Sequence, residues 1–191
     1  KAKATAETAK QWKDLMDGNT KAGKATTIVG PLVQTTWNQN APYNNLCPQK
    51  DNTRTVTGCV ATAMAQVMKF WNQPTVGTGS NSYSWNSQTL SVDFGETPYD
   101  WGNMTNTYGS SSTPTQKDAV ATLMYHCGVS VNMNYNTSGN GGSSASTYNV
   151  MNALQTYFSY APFMRYKSKD DYGDELWIDM LKKELNDGRP L

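Results

Sequence analysis

The stretch TVTGCVATAMAQVMKFW, residues 55–71, places a cysteine directly after a glycine and at the mouth of a helix. Val60, Met64, Val67, Met68 and Trp71 recur at i, i+4, i+7, i+8 and i+11, one face of a 3.6-residue period. Thr57 is the expected cap, and Asn72, Gln73 and Pro74 end the helix. Cysteine caps poorly and packs only as a small apolar residue, so packing gives little reason for Cys59 at that place. Chemistry gives one. Unpaired amides and the positive end of the helix dipole favour a thiolate there, and Gly58 lets backbone and substrate approach closely.

Around this helix the chain is helix-rich with short strands, an α+β pattern rather than a βαβ alternation. Residues 1–25 are Lys- and Ala-rich, read as an N-terminal extension with a short helix around Trp12, Leu15 and Met16. A folded domain is expected over 26–191, entered through an extended wrapping segment rich in Pro, Asn and Gln. From 80 the period switches toward two: Tyr83 and Trp85, then Leu90, Val92 and Phe94, predict a hairpin. Thr113 and Pro114 open a second helix with Val120, Leu123, Met124 and Cys127 on one face and Gly128 as its stop, followed by a short strand VSVNMNY. A Gly- and Ser-rich loop leads into a third helix carrying Val150, Met151, Leu154 and Phe158, and DELWIDMLKKELNDG forms a fourth.

Composition excludes several function classes. The 191 residues carry 16 basic and 15 acidic side chains, a net charge of +1 with no electrostatic footprint for nucleic acid. No apolar run is long enough to span a bilayer. Three cysteines and a single histidine supply neither a disulfide scaffold nor a zinc site, so no metal or cofactor is expected. At least one thiol is free, because three cannot all pair within the chain. Cys127 falls on an apolar stripe and is expected in the core; Cys47 is compatible with burial or exposure, and a Cys47 to Cys59 disulfide is not expected. Trp37, Trp71, Trp85 and Trp101 are read as core or loop anchors.

WNQNAPYNNLCP (37–48), TGCVATAMAQVMKFWNQP about ten residues later, YDWGNM (99–104) and LMYHCGVSVNMNY (123–135) with its glycine- and serine-rich loop together resemble the streptopain and interpain family of secreted bacterial cysteine peptidases. The resemblance runs over roughly residues 28–191, which implies that residues 1–25 are a propeptide tail or an alternative mature start. It implies a papain-like fold of two subdomains, zymogen synthesis, and hydrolysis of peptide bonds in protein substrates, for virulence or nutrient acquisition, by a secreted or surface-bound enzyme. It implies that Cys59 is the nucleophile and that Gln39 supplies an oxyanion-hole amide beside the Cys59 N–H. A neutral donor suits that task, since it stabilises a developing oxyanion without quenching the thiolate. It also implies that Gly142, Ser143 and Ser144 border the substrate cleft, a linker before the third helix being the alternative.

A cysteine peptidase also needs an imidazole, and His126 is the one histidine present. It lies on the flank of the second helix, about 110° from the centre of its apolar stripe, where an exposed or half-packed histidine is ordinary. In the resembled family the catalytic histidine belongs to a later Gly-Gly-His strand, which implies that the histidine-bearing β-subdomain lies beyond Leu191 or on a second polypeptide. The implied partners are then protein or peptide substrates, the protein's own propeptide, and that histidine-bearing part. The alternative reading is a non-catalytic binding module or latent truncated form of the same fold; a surface adhesive domain, suggested by the Asn, Ser, Thr and Tyr content, leaves the cysteine and glutamine motifs unexplained.

Overall fold

The structure, a computed structural model, describes residues 28–191 together with Lys10 and Lys13. The helix expected around Trp12, Leu15 and Met16 lies outside the described residues. Pro31–Leu191 form one compact unit.

Its entry segment is tied down at Trp37, whose indole Nε1 donates to Thr105 O at 2.9 Å. A series of tight turns over residues 40–47 follows, with Asn44 Nδ2 donating to Thr55 O at 2.8 Å inside the protein. β1 (Gln49–Lys50) and β2 (Thr53–Arg54) make a two-stranded antiparallel ribbon. Asp51 and Asn52 turn it with φ of 50° and 59°, the left-handed region that short polar side chains tolerate. The chain then delivers Cys59 into α1 (Cys59–Trp71), which Asn72 ends in the left-handed conformation. Val60, Met64 and Met68 are buried as the period predicts, whereas Trp71 is 48% exposed and sits edge-on against its neighbour Phe70. Trp37 and Trp85 are core residues, and Trp101 is half-buried.

β3 (Ser80–Trp85) and β4 (Gln88–Asp93) form the expected hairpin, with Tyr83 opposite Leu90 and Asn81 opposite Val92. Asn86 and Ser87 both take positive φ, the geometry of a two-residue turn that matches strand twist. α2 (Pro114–Ser130) starts at a reciprocal capping box, Thr113 Oγ1 accepting from the Gln116 amide and Gln116 Oε1 from the Thr113 amide. α3 (Tyr148–Tyr157) and α4 (Asp174–Asn186) complete the described elements, apart from two short 3₁₀ turns at Ser138–Asn140 and Lys169–Asp171.

The core lies where α1 meets α2, with Cys127 Sγ 3.6 Å from Met68 Sδ, and where the hairpin closes over them through Leu90, Val92 and Phe94. Leu154 and Phe158 seal the side toward α3. Cys47 and Cys127 are fully buried, and Cys59 is exposed; all three are free thiols. Burial pushes the Cys47 thiol up to about 12 and the Cys127 thiol well above its ordinary range.

Two features of α2 depart from the pattern read in the sequence. The helix does not stop at Gly128 but runs on to Ser130, and the strand expected after it does not form; Asn132 turns the chain with φ 54°, and Asn134 makes only an isolated bridge with Ser144. Gly128 has another task. The Tyr135 ring lies against it so closely that a Cβ there would stand 2.0 Å from the phenol oxygen.

The second departure is His126, which is buried rather than a flank residue. Phe94 meets it edge-on from the end of β4, Tyr99 does so from the following loop, and Tyr99 Oη lies 2.9 Å from Nδ1. The hairpin and this loop cover the flank that helical periodicity alone leaves open.

Burial lowers the His126 pKa from 6.5 to about 4. A base held below its unfolded value stabilises the fold above that value and loses the contribution as pH falls toward the folded one. Denaturant unfolding should therefore show about 3 kcal/mol less stability at pH 4 than at pH 7 from this group. His126→Gln should remove that part of the pH slope.

Candidate active site

Each residue before Cys59 has its backbone fastened by a different part of the fold. The Thr55 amide donates to Pro48 O at 3.1 Å. The Val56 amide donates to Asn136 O at 3.1 Å, and Val56 O accepts from Ser143 Oγ at 2.6 Å. The Thr57 amide donates to Gln39 O at 3.1 Å. Gly58, with φ 87°, makes the turn into α1. Glycine is favoured here by its positive φ, and a Cβ at Gly58 would in addition stand 2.7 Å from Met133 Sδ and 3.2 Å from Ser143 Cβ, so that the Met133 side chain would have to move.

The helix starts without the cap expected from Thr57. Gly58 is the N-cap, no side chain bonds to a first-turn amide, and the Thr57 hydroxyl is buried 2.8 Å from Thr62 Oγ1 instead. Among the described residues nothing occupies the amides of Cys59, Val60 and Ala61, the donors that an α-helix leaves unsatisfied at its start. Exposed Sγ and free amides thus share one helix end, which suits a sulfur anion and a developing oxyanion together.

Gln39 is brought to this turn by its own carbonyl, which accepts the Thr57 amide two residues before Cys59. Its side chain is half-buried and has no hydrogen-bond partner among the described residues, so the carboxamide is available as a donor. The Asn38 side chain accepts the Gln39 amide at 2.6 Å and fixes the local turn.

The loop 137–144 also reaches the site, on its other side. Gly141 and Gly142 take φ of 87° and 74°, and the loop neck is closed by reciprocal backbone bonds between Asn134 and Ser144 at 2.9 and 3.1 Å. Gly142 is half-buried, Ser144 exposed, and Ser143 buried with its hydroxyl fully engaged. Periodicity gave no sign of Met133 under Gly58 or of Asn136 beside Val56, because the constraint is tertiary.

His126 is not part of this constellation. Its ring is enclosed by Phe94 and Tyr99, and Nδ1 is bonded to the Tyr99 hydroxyl. Among the described residues no cluster of His, Cys, Asp and Glu could hold a metal ion, and no helix is long and apolar enough to cross a membrane.

The family model for Peptidase C10 matches residues 37–191, from the tryptophan before Gln39 through the last helix. The chain belongs to the Peptidase C10 family. Streptopain of Streptococcus pyogenes is a curated relative, 32% identical over 174 residues, covering 81% of this chain and 43% of streptopain. The thiol protease/hemagglutinin PrtT of Porphyromonas gingivalis is 34% identical over 161 residues, 81% of this chain and 18% of that protein. This C10 chain therefore spans less than half the length of these curated relatives. Active interpain A of Prevotella intermedia, a cysteine protease, superposes with a TM-score of 0.80 at 41% identity, over 85% of this chain and 68% of that one. A prointerpain A fragment from the same organism gives a TM-score of 0.79 at 33% identity, over 98% of this chain and 66% of that one. The α+β arrangement is thus the papain-like one of the C10 peptidases.

Proposed function

We propose that this chain carries the nucleophile half of a cysteine endopeptidase acting on protein substrates. The observation that carries the reading is the single exposed thiol, Cys59, at an uncapped helix start, with the unpartnered Gln39 carboxamide tied to the same turn.

In that reading the Cys59 thiolate attacks the carbonyl carbon of the scissile peptide. The oxygen takes up negative charge facing the Cys59 amide and the Gln39 carboxamide. Collapse breaks the C–N bond, and the leaving amine takes a proton from an imidazolium. Water then adds to the thioester, giving the carboxylic acid and restoring the thiol.

The imidazole comes from outside these residues, because His126 is buried and bonded to Tyr99. The greater length of the relatives supports this, as does α4, which has no buried residue and exposes Ile178 and Leu185 on one face, apolar side chains that a histidine-bearing β-subdomain would cover. Residues 1–25 are read as the end of an inhibitory propeptide; the prointerpain fragment covers 98% of this chain, against 85% for active interpain A. Secretion as a zymogen, with a role in virulence or nutrient acquisition, belongs to the same proposal, and a latent or purely binding form is its alternative.

The test is iodoacetamide alkylation of the active protein as a function of pH, with peptide mass mapping. Rapid labelling of Cys59 at about pH 5 to 6, with Cys47 and Cys127 unlabelled, is expected from a thiolate held by an imidazolium. Labelling of Cys59 that rises only near about pH 8, as for an ordinary thiol, would contradict the peptidase reading and favour the binding form.

A further inference from the structure

We infer that Ser143 is a positioning residue for the nucleophile rather than a contact for substrate. The inference rests on the reading of Cys59 as nucleophile and deepens it.

Ser143 sits in a loop made largely of exposed glycine, serine and asparagine, yet it is itself 7% exposed. Its hydroxyl accepts from the Asn136 amide at 2.9 Å and donates to Val56 O at 2.6 Å, with Asn136 O a second acceptor at 3.1 Å. The Val56 amide in turn donates to Asn136 O at 3.1 Å. Both backbone groups of the residue three positions before Cys59 are therefore held by Ser143 and by Asn136, to which Ser143 is itself bonded.

The same serine also presses on the turn sterically. A Cβ at Gly58 would stand 3.2 Å from Ser143 Cβ, so the loop forms one wall and Met133 the other around the residue that opens the helix. Val56 is 94% buried by the same packing, being only 6% exposed. Without the Ser143 hydroxyl the Val56 carbonyl and the Asn136 amide both lose partners, and such groups recover them by shifting backbone or admitting water. The backbone that shifts is the one that aims Cys59 and its amide. Small displacements of reacting groups cost rate while leaving remote substrate contacts intact.

A substrate contact and a positioning residue differ in which kinetic parameter they move. In the active protein, Ser143→Ala should lower kcat about tenfold with KM within about twofold of the parent, and should slow Cys59 alkylation in similar proportion. Ser143→Cys, close in shape with a weaker donor, should fall between. Ser138→Ala, an exposed serine in the same loop, should leave both parameters unchanged. A raised KM with unchanged kcat would make Ser143 a substrate contact and overturn the inference. So would unchanged kinetics, or loss of activity that tracks loss of folded protein in both Ser143 variants. Hydrolysis that survives Cys59→Ala would instead overturn the nucleophile reading, whereas unchanged Ser143→Ala kinetics with Cys59 essential overturns only the positioning role.

Discussion

Gly128→Ala is expected to destabilise the domain by about 3 kcal/mol, roughly 10 °C in Tm, although alanine is the better helix former. An exposed helical site would gain about 1 kcal/mol from the same change. Here the new methyl carbon would stand 2.0 Å from Tyr135 Oη and 2.9 Å from Cζ. The ring has little room to retreat: Tyr135 is 1% exposed, Trp85 lies edge-on to it, Tyr125 lies nearly parallel, and Trp85 Nε1 holds its carbonyl at 3.1 Å. The phenol oxygen is buried without a hydrogen-bond partner among the described residues. Tyr135→Phe should therefore be nearly neutral alone and should restore part of the stability lost in Gly128→Ala, since it removes the shortest contact without orphaning a partner. Thermal unfolding of the two single variants and the double variant reads this directly. A Gly128→Ala protein as stable as the parent would contradict the packing described.

The same glycine shows where sequence reading reached its limit. A glycine directly after the last residue of a clear apolar stripe is ordinarily a helix stop, and the alternation in VSVNMNY is ordinarily a strand. Both readings are local. The ring of Tyr135, seven residues on, needs a helix surface without a side chain, and Met133 and Tyr135 point inward because they pack beneath Gly58 and between Trp85 and Tyr125, with no neighbouring strand along them. His126 failed the local rule in the same way. Its place on the helix was legible, but the cover supplied by Phe94 and Tyr99 comes from other elements.

Where local rules and tertiary packing agree, the sequence read true. The hairpin turn at Asn86–Ser87, the cap at Thr113 and the burial of Cys127 all follow from residue type and period. The candidate site was legible for a different reason. Gly58 and Cys59 at a helix start are informative because chemistry explains them better than packing does. Thr57 was misread as a cap, and the difference is functional: a capping hydroxyl would take up a first-turn amide, whereas the Thr57 to Thr62 bond leaves those amides free. The clamp of Ser143 on Val56 joins positions 87 residues apart, a separation that no periodicity reports.

Cys59→Ala bears most directly on the account. Cys59 is exposed, its thiol has no hydrogen-bond partner among the described residues, and alanine is a strong helix former, so the variant should fold with stability within about 0.5 kcal/mol of the parent. It should nevertheless lose peptide hydrolysis by at least about 10³-fold, because the covalent route is closed and oriented binding alone leaves little rate. The measurement is hydrolysis of an unstructured protein substrate by parent and variant, each assayed with the histidine-bearing part present and with folding checked by circular dichroism. Loss of hydrolysis with the fold intact is the predicted result. A folded Cys59→Ala protein that hydrolyses the substrate within about tenfold of the parent would contradict the assignment of Cys59 as nucleophile.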